Sequence, residues 1–215
     1  MLVACWSSKG GAGTTVVAAT LALLLARGGS GGALLADLAG DAPAALGLAD
    51  PERPGIAGWL AAGPDVPPDA LQRLEISAAE RLALLPRGDG PLPPDRAEVL
   101  ARLLAADDRP VVVDCGTDPA GVALVVAASA TRSLLVTRPC FLALRRAVSL
   151  PVRPSAVVLL TEPGRALGRG DVERSVGAPV VAEVAVDPQV ARAVDAGLLA
   201  SRLPRGLARE LARAA

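Results

Sequence analysis

The sequence predicts an α/β fold in which a mostly parallel sheet is covered by helices on both faces. Short apolar segments typical of strands alternate along the chain with longer apolar segments typical of helices. The predicted strands are apolar at successive positions, which indicates that both of their faces are buried, as in parallel sheets. A glycine-rich loop and two aspartates follow three of these strands, at the carboxyl ends where such folds bind ligands.

The first half of the chain supplies the clearest elements. Residues 2–6 (LVACW) predict an apolar strand directly before the glycine loop, and residues 14–27 (TTVVAATLALLLAR) are long and apolar enough for a buried helix. The glycine pair that follows ends this helix. Residues 33–37 (ALLAD) predict a second buried strand with an acid at its carboxyl end. Further along the chain, the sequence predicts a helix at 55–62, a strand at 82–85 and a helix at 94–106.

The second half repeats this alternation. PVVVD at 110–114 predicts a strand that ends in Asp114. We expect the strand that ends at Thr137 to border it. Further strands are expected at 133–137, 155–160 and 179–184, and helices at 119–130, 140–149, 187–196 and 204–214.

Composition narrows the class of protein. The 215 residues fit one domain, 1–215, with 52% hydrophobic residues and enough chain for a substantial core. Apolar runs are interrupted well short of the ~20 residues that a membrane-spanning helix needs. Residues 1–6 lack the basic start of a signal peptide, and three widely spaced cysteines favour a reducing compartment, so we expect a cytoplasmic protein. The net charge of zero gives no general attraction to DNA or lipid.

Two residue types are informative by their scarcity. The chain has no histidine, which excludes histidine-based catalytic triads and histidine metal sites. It uses arginine at every basic position except one, and that single lysine, Lys9, stands immediately before Gly10 and Gly11. This placement favours a functional role for Lys9 over an incidental surface position.

The glycine loop after the first strand predicts a phosphate-binding site. Glycines let backbone N–H groups converge on phosphate, and the following helix adds its positive end. Thr15 occupies the hydroxyl position of an Mg²⁺ ligand, and Asp37 and Asp114 are candidate acids for the same ion. The alternative is a tight turn with two acids that cap other helices. The candidate nucleotide-binding residues are Lys9, Gly10, Gly11, Ala12, Gly13, Thr14 and Thr15.

These motifs resemble those of the MinD/ParA family of deviant-Walker ATPases. KGGAG followed by TT resembles the family's K-G-G-x-G-K-[ST], and residues 34–48 (LLADLAGDAPAALGL) are similar to its second-strand motif, D-x-D-P-Q-G-N-x-T-x-x-L-G. Residues 184–197 (VAVDPQVARAVDAG) resemble a late family segment. The Tad/Cpa-type pilus-localisation members and actinobacterial MinD-like proteins look nearest.

The resemblance implies a three-layer P-loop NTPase fold that binds ATP or ADP with Mg²⁺. It also implies a nucleotide-promoted homodimer, in which Lys9 matches the signature lysine that reaches the partner's phosphates. A protein partner in pilus, secretion or polarity machinery would follow from the nearest members.

Departures from the family pattern bear on catalysis. Thr14 replaces the P-loop lysine, and Ala39 replaces the second-strand aspartate that activates water in the family. The chain has no asparagine, the residue with which many members contact the base. Loss of a general base costs about 10²–10⁴ in rate. We therefore expect very slow or no ATP hydrolysis and assign no catalytic residue.

Three functional hypotheses follow. The first is a nucleotide-dependent dimeric switch that positions a partner. The second is a pseudo-ATPase scaffold that has lost nucleotide control, which Thr14 and Ala39 favour. The third, an active DNA-partitioning ATPase, requires residues that this chain lacks.

Some surface features leave alternatives open. Leu203, Leu207 and Leu211 form a helical stripe within the C-terminal segment, for which we expect packing on the domain itself. Peripheral membrane contact through 204–215, at the inner face of the membrane, is the alternative. Trp59 is either a core residue or part of a dimer face. The cysteines are expected to be small core residues, and Arg138, Arg145 and Arg146 are either solvated or form a docking face beside the site.

Overall fold

A mixed sheet runs through the middle of the molecule. The structure, a computed structural model, describes residues 1–51, 54–63 and 66–215. In these residues the sheet has the strand order β3-β4-β2-β5-β1-β6-β7-β8, and every neighbouring pair is parallel except β3 and β4. The strands are β1 (Leu2–Ser7), β2 (Ala33–Asp37), β3 (Ile76–Ala79), β4 (Leu82–Leu85), β5 (Val111–Thr117), β6 (Arg132–Thr137), β7 (Ala156–Thr161) and β8 (Val180–Ala185).

Helices cover both faces of the sheet. One face packs against α1, α2, α8 and α9, and the other against α3 to α7. The predicted three-layer arrangement is therefore confirmed. The helices are α1 (Thr14–Gly28), α2 (Ala42–Leu46), α3 (Gly55–Ala61), α4 (Ala97–Ala106), α5 (Gly121–Ser129), α6 (Phe141–Ser149), α7 (Arg169–Val176), α8 (Pro188–Asp195) and α9 (Arg205–Leu211).

The central strand β1 shows why the sequence folds this way. Leu2, Ala4 and Trp6 point into the core on one face, whereas Val3 and Cys5 point into the core on the other. Because side chains alternate along a strand, a continuous apolar run buries both faces at once. The chain leaves β1 at its carboxyl end and enters α1, so the glycine loop lies at the middle of the sheet's carboxyl edge.

Helix α7, strand β3 and helix α2 were not predicted from the sequence. Helix α7 buries only Val172, so it lacks an apolar stripe, and its exposed surface carries ion pairs such as Arg169–Glu173. Strand β3 is a four-residue antiparallel edge strand, and α2 is a five-residue helix. Short or polar elements of this kind give no periodic hydrophobic signal.

One expected neighbour relation is wrong. Strand β6, which ends at Thr137, pairs with β1 rather than with β5, the strand of Asp114. The sheet places β1 between them. As a consequence, the residues after Thr137 lie beside the glycine loop instead of beside Asp114.

The C-terminal helix packs on the chain's own core. Leu207 and Leu211 are buried among residues of α1 and β8, and Leu203 is partly buried against the same cluster. The predicted packing of the leucine stripe on the domain itself is therefore confirmed. In the part of the chain that the structure describes, no helix has the length and apolar character needed to cross a bilayer.

The burial of Trp59 and of the three cysteines shows which of them are core residues. Trp59 is a core residue with 3% of its surface exposed, and the Arg96 guanidinium stacks on its ring at 3.6 Å. Cys5 and Cys115 are buried as predicted, but Cys140 is half-exposed at the start of α6. Small cysteine side chains therefore fill the core at two positions, and the third lies at the surface.

Candidate functional site

The glycine loop between β1 and α1 is shaped to present backbone N–H groups. Gly11 and Gly13 have φ values of 74° and 79°, in the left-handed region that favours glycine. A Cβ on Gly13 would also stand 3.2 Å from the Leu160 side chain. At the start of the loop, the Ser8 hydroxyl donates a 2.7 Å hydrogen bond to the carbonyl of Ala143 in α6. The start of the loop is thus anchored to α6, and position 13 favours glycine both for its φ value and for lack of space.

The N-terminus of α1 has no side-chain cap. Gly13 occupies the N-cap position, and the first turn contains no acidic residue. A helix of 15 residues therefore directs its free N–H groups and the positive end of its dipole into the loop. Such an arrangement binds anions.

The two predicted metal acids lie side by side at the carboxyl edge. Asp37 at the end of β2 is paired in register with Asp114 in β5, and both carboxylates are fully buried. Burial raises the pKa of Asp114 to about 6, and the neighbouring charge of Asp37 acts in the same direction. The Thr15 hydroxyl and the Gly116 N–H moderate this rise. The structure thus brings Thr15, Asp37 and Asp114 together.

The two acids differ in how their oxygens are used. Oδ1 of Asp37 accepts hydrogen bonds from the N–H groups of Ala39 and Gly40 at 2.9 and 2.7 Å, and Oδ2 accepts one from Ala42 at 3.1 Å. This carboxylate therefore holds the turn into α2. Asp114 accepts one bond through Oδ1, from Gly116 at 3.0 Å, whereas its buried Oδ2 has no hydrogen-bond partner. Burial raises the pKa of Asp37 as well.

A polar cleft opens on one side of the glycine loop. It has a volume of about 590 Å³ and is lined by residues 11–16, by the turn after β2, by Arg87 and by the turn after β5. Ala39 and Asp41 from the first of these turns and Asp118 from the second are among the lining residues. The turn after β5 is tied to the loop because the Asp118 N–H donates a 2.7 Å hydrogen bond to the Ser7 carbonyl.

An apolar cleft adjoins the other end of the loop. Its volume is about 300 Å³, and Gly13 and Val16 line both this cleft and the polar cleft. Carbon-rich walls of this size suit a planar base or another apolar group. The remaining lining comes from the ends of β7 and β8 and from α8 and α9, and includes Leu160, Val184, Val186, Val190 and Leu207.

A third cavity, the cationic cleft, lies beside Lys9 and shares Gly11 and Ala12 with the polar cleft. Lys9, Arg138 and Arg165 line it together with Gly10, Gly11 and the start of α6, and its volume is about 420 Å³. Glu162 forms ion pairs with both arginines. Arg145 and Arg146 instead lie exposed on α6, where Phe141 has 74% of its surface exposed.

The donor set fits a nucleotide with Mg²⁺. Buried Asp114 Oδ2 lacks a partner next to the hydroxyl of Thr15, and hard oxygen ligands are those that Mg²⁺ prefers. In the described residues no group of three or more acidic, cysteine or histidine side chains could hold a metal by itself. An ion here would therefore depend on ligand phosphates and water, as Mg²⁺ sites usually do.

The raised pKa of Asp114 makes a prediction about stability. A buried carboxyl whose folded pKa exceeds its unfolded value stabilises the fold when protonated, and this contribution is lost as pH rises through about 6. The Asp114→Asn variant lacks this carboxyl and serves as the reference. In Mg²⁺-free buffer, the free energy of unfolding of wild type minus that of the variant should be about 1–2 kcal/mol smaller at pH 8 than at pH 5. Urea denaturation of both proteins measures this difference. Parallel pH profiles would contradict it.

Sequence reasoning found the loop and both acids but missed other parts of the site. The apolar cleft is built from strand ends that lie far apart in the sequence, and only residues 184–197 carried a motif for it. Arg87 reaches the polar cleft from the segment after β4, and no pattern marks it. Asp118 has a signal that could have been used, because it stands between the Asp114 strand and the next predicted helix.

Solved structures supply the comparison with known proteins, since no protein-family model and no curated sequence matches the chain. A ParA family ATPase from Chlorobium tepidum TLS is similar with a TM-score of 0.80 and 19% identity, over 98% of this chain and 96% of that one. The septum site-determining protein MinD from Pyrococcus horikoshii OT3, complexed with Mg-ADP, has a TM-score of 0.80 and 20% identity, over 99% and 93% of the chains.

A third similar structure is a complex of two proteins. It is the MinC:MinD cell division protein complex from Aquifex aeolicus, with a TM-score of 0.76 and 19% identity, over 99% of this chain and 94% of that one. The chain therefore has the fold of the MinD/ParA ATPases. The resemblance of its motifs to this family, and the predicted P-loop NTPase fold, are confirmed at the level of the fold.

Proposed function

We propose that this chain is a MinD/ParA-type nucleotide-binding protein that acts from the cytoplasm as a dimeric positioning switch with very slow or no ATP hydrolysis. The observation that carries the proposal is the position of the uncapped α1 N-terminus, which lies between an apolar cleft and a polar cleft. A nucleotide has the same two parts, an apolar base and an anionic tail.

Different residues of the site would bind the different parts of the nucleotide. The N–H groups of Gly10, Gly11 and Gly13 and of the first turn of α1 would bind the phosphates, and the apolar cleft would take the base. The Thr15 hydroxyl and Asp114 would hold Mg²⁺, which neutralises phosphate charge when bound. Asp37 would act mainly by fixing the turn that carries Ala39 and Asp41, since its oxygens already accept three backbone N–H groups.

Slow hydrolysis follows from two side chains that cannot perform the chemistry. Thr14 is largely buried and carries no charge, and Ala39 presents only a methyl group to the polar cleft, next to Gly116. Neither can stabilise transferred phosphate or activate water. Binding is less affected, because backbone N–H groups and the helix dipole remain.

Lys9 is the residue that supports a dimer in this proposal. Its side chain is exposed at the mouth of the cationic cleft, and it makes no ion pair with any acid in the described ranges. A free cation beside a phosphate site can neutralise phosphates on a facing subunit. The dimer would recruit a protein of pilus, secretion or polarity machinery, much as a MinD of this fold forms a complex with MinC.

The alternative, a scaffold without nucleotide control, is supported by how Asp37 is used and by the residues at positions 14 and 39. Asp37 uses its carboxylate for the backbone, as an acid that caps a turn would, and the two chemically important positions hold Thr14 and Ala39. A scaffold of this kind would keep the fold without binding nucleotide.

Calorimetric titration separates the two functions. We expect ATP and ADP to bind with micromolar Kd values that weaken at least about tenfold when Mg²⁺ is removed, because phosphate charge is then less well neutralised. Thr15→Ala should reduce the Mg²⁺ effect, whereas Thr20→Ala, a buried threonine further along α1, should leave it unchanged. Absence of binding heat at millimolar ATP, from protein with a cooperative thermal transition, would refute the switch and favour the scaffold.

A further inference from the structure

Arg138 occupies a distinctive position at the site. It is the one residue, of those the structure describes around these cavities, that lines both the cationic cleft and the apolar cleft. The first of these clefts contains Lys9 and the loop residues 10–12, and the second contains Gly13. A nucleotide with its base in the apolar cleft and its phosphates on the loop would therefore pass beside this guanidinium.

The fold fixes this position through the sheet. Strand β6 pairs with β1, so the chain leaves β6 directly beside the start of the glycine loop. The Arg138 carbonyl then accepts a 2.7 Å hydrogen bond from the Cys140 N–H and a 3.2 Å bond from the Thr137 hydroxyl. These bonds hold the backbone at the point from which the side chain extends.

The guanidinium of Arg138 retains donors for a ligand. It is paired with Glu162 through one terminal nitrogen, and its buried Nε has no hydrogen-bond partner. Arg109 shows the opposite case, since its Nε and both terminal nitrogens donate to Asp107 and Glu75 in a closed ion-pair cluster. Arg138 is therefore only partly used by the fold.

The charge around Arg138 is positive. Glu162 is shared between Arg138 and Arg165, so these three side chains carry one net positive charge, and Lys9 adds a second in the same cleft. The whole chain has a net charge of zero. Positive charge is thus concentrated beside the loop whose own lysine position holds Thr14.

Arg87 is a weaker candidate for the same role. It lines the polar cleft, but its two terminal nitrogens donate to the carbonyls of Gly88 and Gly90 at 3.0 Å each. These bonds keep its charge within its own turn. Arg138 has more unused donors than Arg87, and it lines both the cationic cleft and the apolar cleft.

We propose that Arg138 replaces the missing P-loop lysine as the cation that binds nucleotide phosphate within the same subunit. The assignment rests on the proposed nucleotide site and names a residue that contributes to it. Glu162 then orients and partly neutralises the guanidinium in the absence of ligand.

The test compares wild type with four variants by calorimetric titration with Mg-ATP and Mg-ADP. Arg138→Met should weaken both by about 10- to 100-fold, the value of a charge-assisted phosphate contact. Arg145→Met, which removes an exposed arginine on α6, should leave binding unchanged. Glu162→Gln should leave affinity equal to wild type or raise it, because the competing carboxylate is removed. Adding Thr14→Lys to Arg138→Met should recover at least about tenfold of the loss.

Each remaining outcome overturns the assignment. Wild-type affinity in Arg138→Met would show that the guanidinium does not bind phosphate, while nucleotide binding itself would stand. Equal losses in Arg138→Met and Glu162→Gln would show that the ion pair only supports the fold. A wild-type protein that binds no nucleotide would overturn both this assignment and the proposed function. Thermal unfolding of every variant distinguishes loss of binding from loss of structure.

Discussion

Replacing Thr14 by lysine and Ala39 by aspartate together is expected to raise the ATPase rate of this protein by at least about 100-fold. Both positions line the polar cleft, on its loop wall and on the wall formed by the turn after β2. The lysine supplies a cation for the transferred phosphate, and the aspartate supplies a base for the attacking water. Release of inorganic phosphate under excess ATP and Mg²⁺ measures the rate.

The single substitutions should separate binding from catalysis. Thr14→Lys alone should tighten ATP binding by about tenfold, because it adds a charge-assisted contact, and should change the rate little. Ala39→Asp alone should give only a small gain, since position 14 would still lack a cation for the phosphate that is transferred. Adding Asp114→Asn to the double variant should remove the gained activity together with its Mg²⁺ dependence.

A lack of activity in the double variant would require a different explanation of the site. Ala39 is half-exposed and lines the polar cleft, so a longer side chain at this position can extend into the cleft. If the double variant binds Mg-ATP tightly and still does not hydrolyse it, the loop and cleft would hold phosphate in an arrangement that excludes attack. The missing residues would then not be the cause of low activity.

The central part of the fold could be predicted because its physical signal is local. Strands β1, β2 and β5 are continuous apolar runs, and α1 is a long apolar segment between two glycine-rich turns. Burial on both faces requires such composition, so the pattern identifies the elements without any knowledge of their neighbours. The glycine loop follows directly, since it joins two of these elements.

Strand order and polar elements could not be read in the same way. Pairing of β6 with β1 depends on how crossovers arrange the whole sheet, and this neighbour relation decides where Arg138 lies. Helix α7 buries a single residue, Val172, and most of its other side chains are polar, so its sequence has no hydrophobic period. Tertiary context thus determined the features that local pattern did not specify.

In the candidate site, too, some features could be predicted from the sequence and others depend on the fold. Thr15 and Asp114 were identified from their positions after strands, and the structure places them together. The sequence left Asp37 as either a metal acid or a capping acid. The three backbone N–H groups that its carboxylate accepts depend on the conformation of the turn that follows, which the sequence does not specify. Residue type predicts what a side chain can bind, whereas its partners in the fold decide what it still has free.

The substitution Lys9→Ala is expected to abolish ATP-linked dimerisation. In a two-fold dimer each lysine would contact phosphates on the facing subunit, so the substitution removes two charge-assisted contacts. At about 1.5–3 kcal/mol each, their loss weakens the dimer by roughly 10²–10⁴-fold. Light scattering coupled to size-exclusion chromatography, with Mg-ATP present and absent, measures the change.

The control for Lys9→Ala is the exposed α6 substitution Arg145→Ala, which removes a cation outside the clefts. Affinity of the Lys9→Ala monomer for Mg-ATP should stay within about tenfold of wild type, because the backbone cradle of the same subunit is intact. A variant that still dimerises with ATP would show that Lys9 does not bridge subunits. Loss of nucleotide affinity in the monomer would instead assign Lys9 to its own subunit's phosphates. The position of the single lysine beside the loop would then serve binding, and a dimer would need another source of charge at its interface.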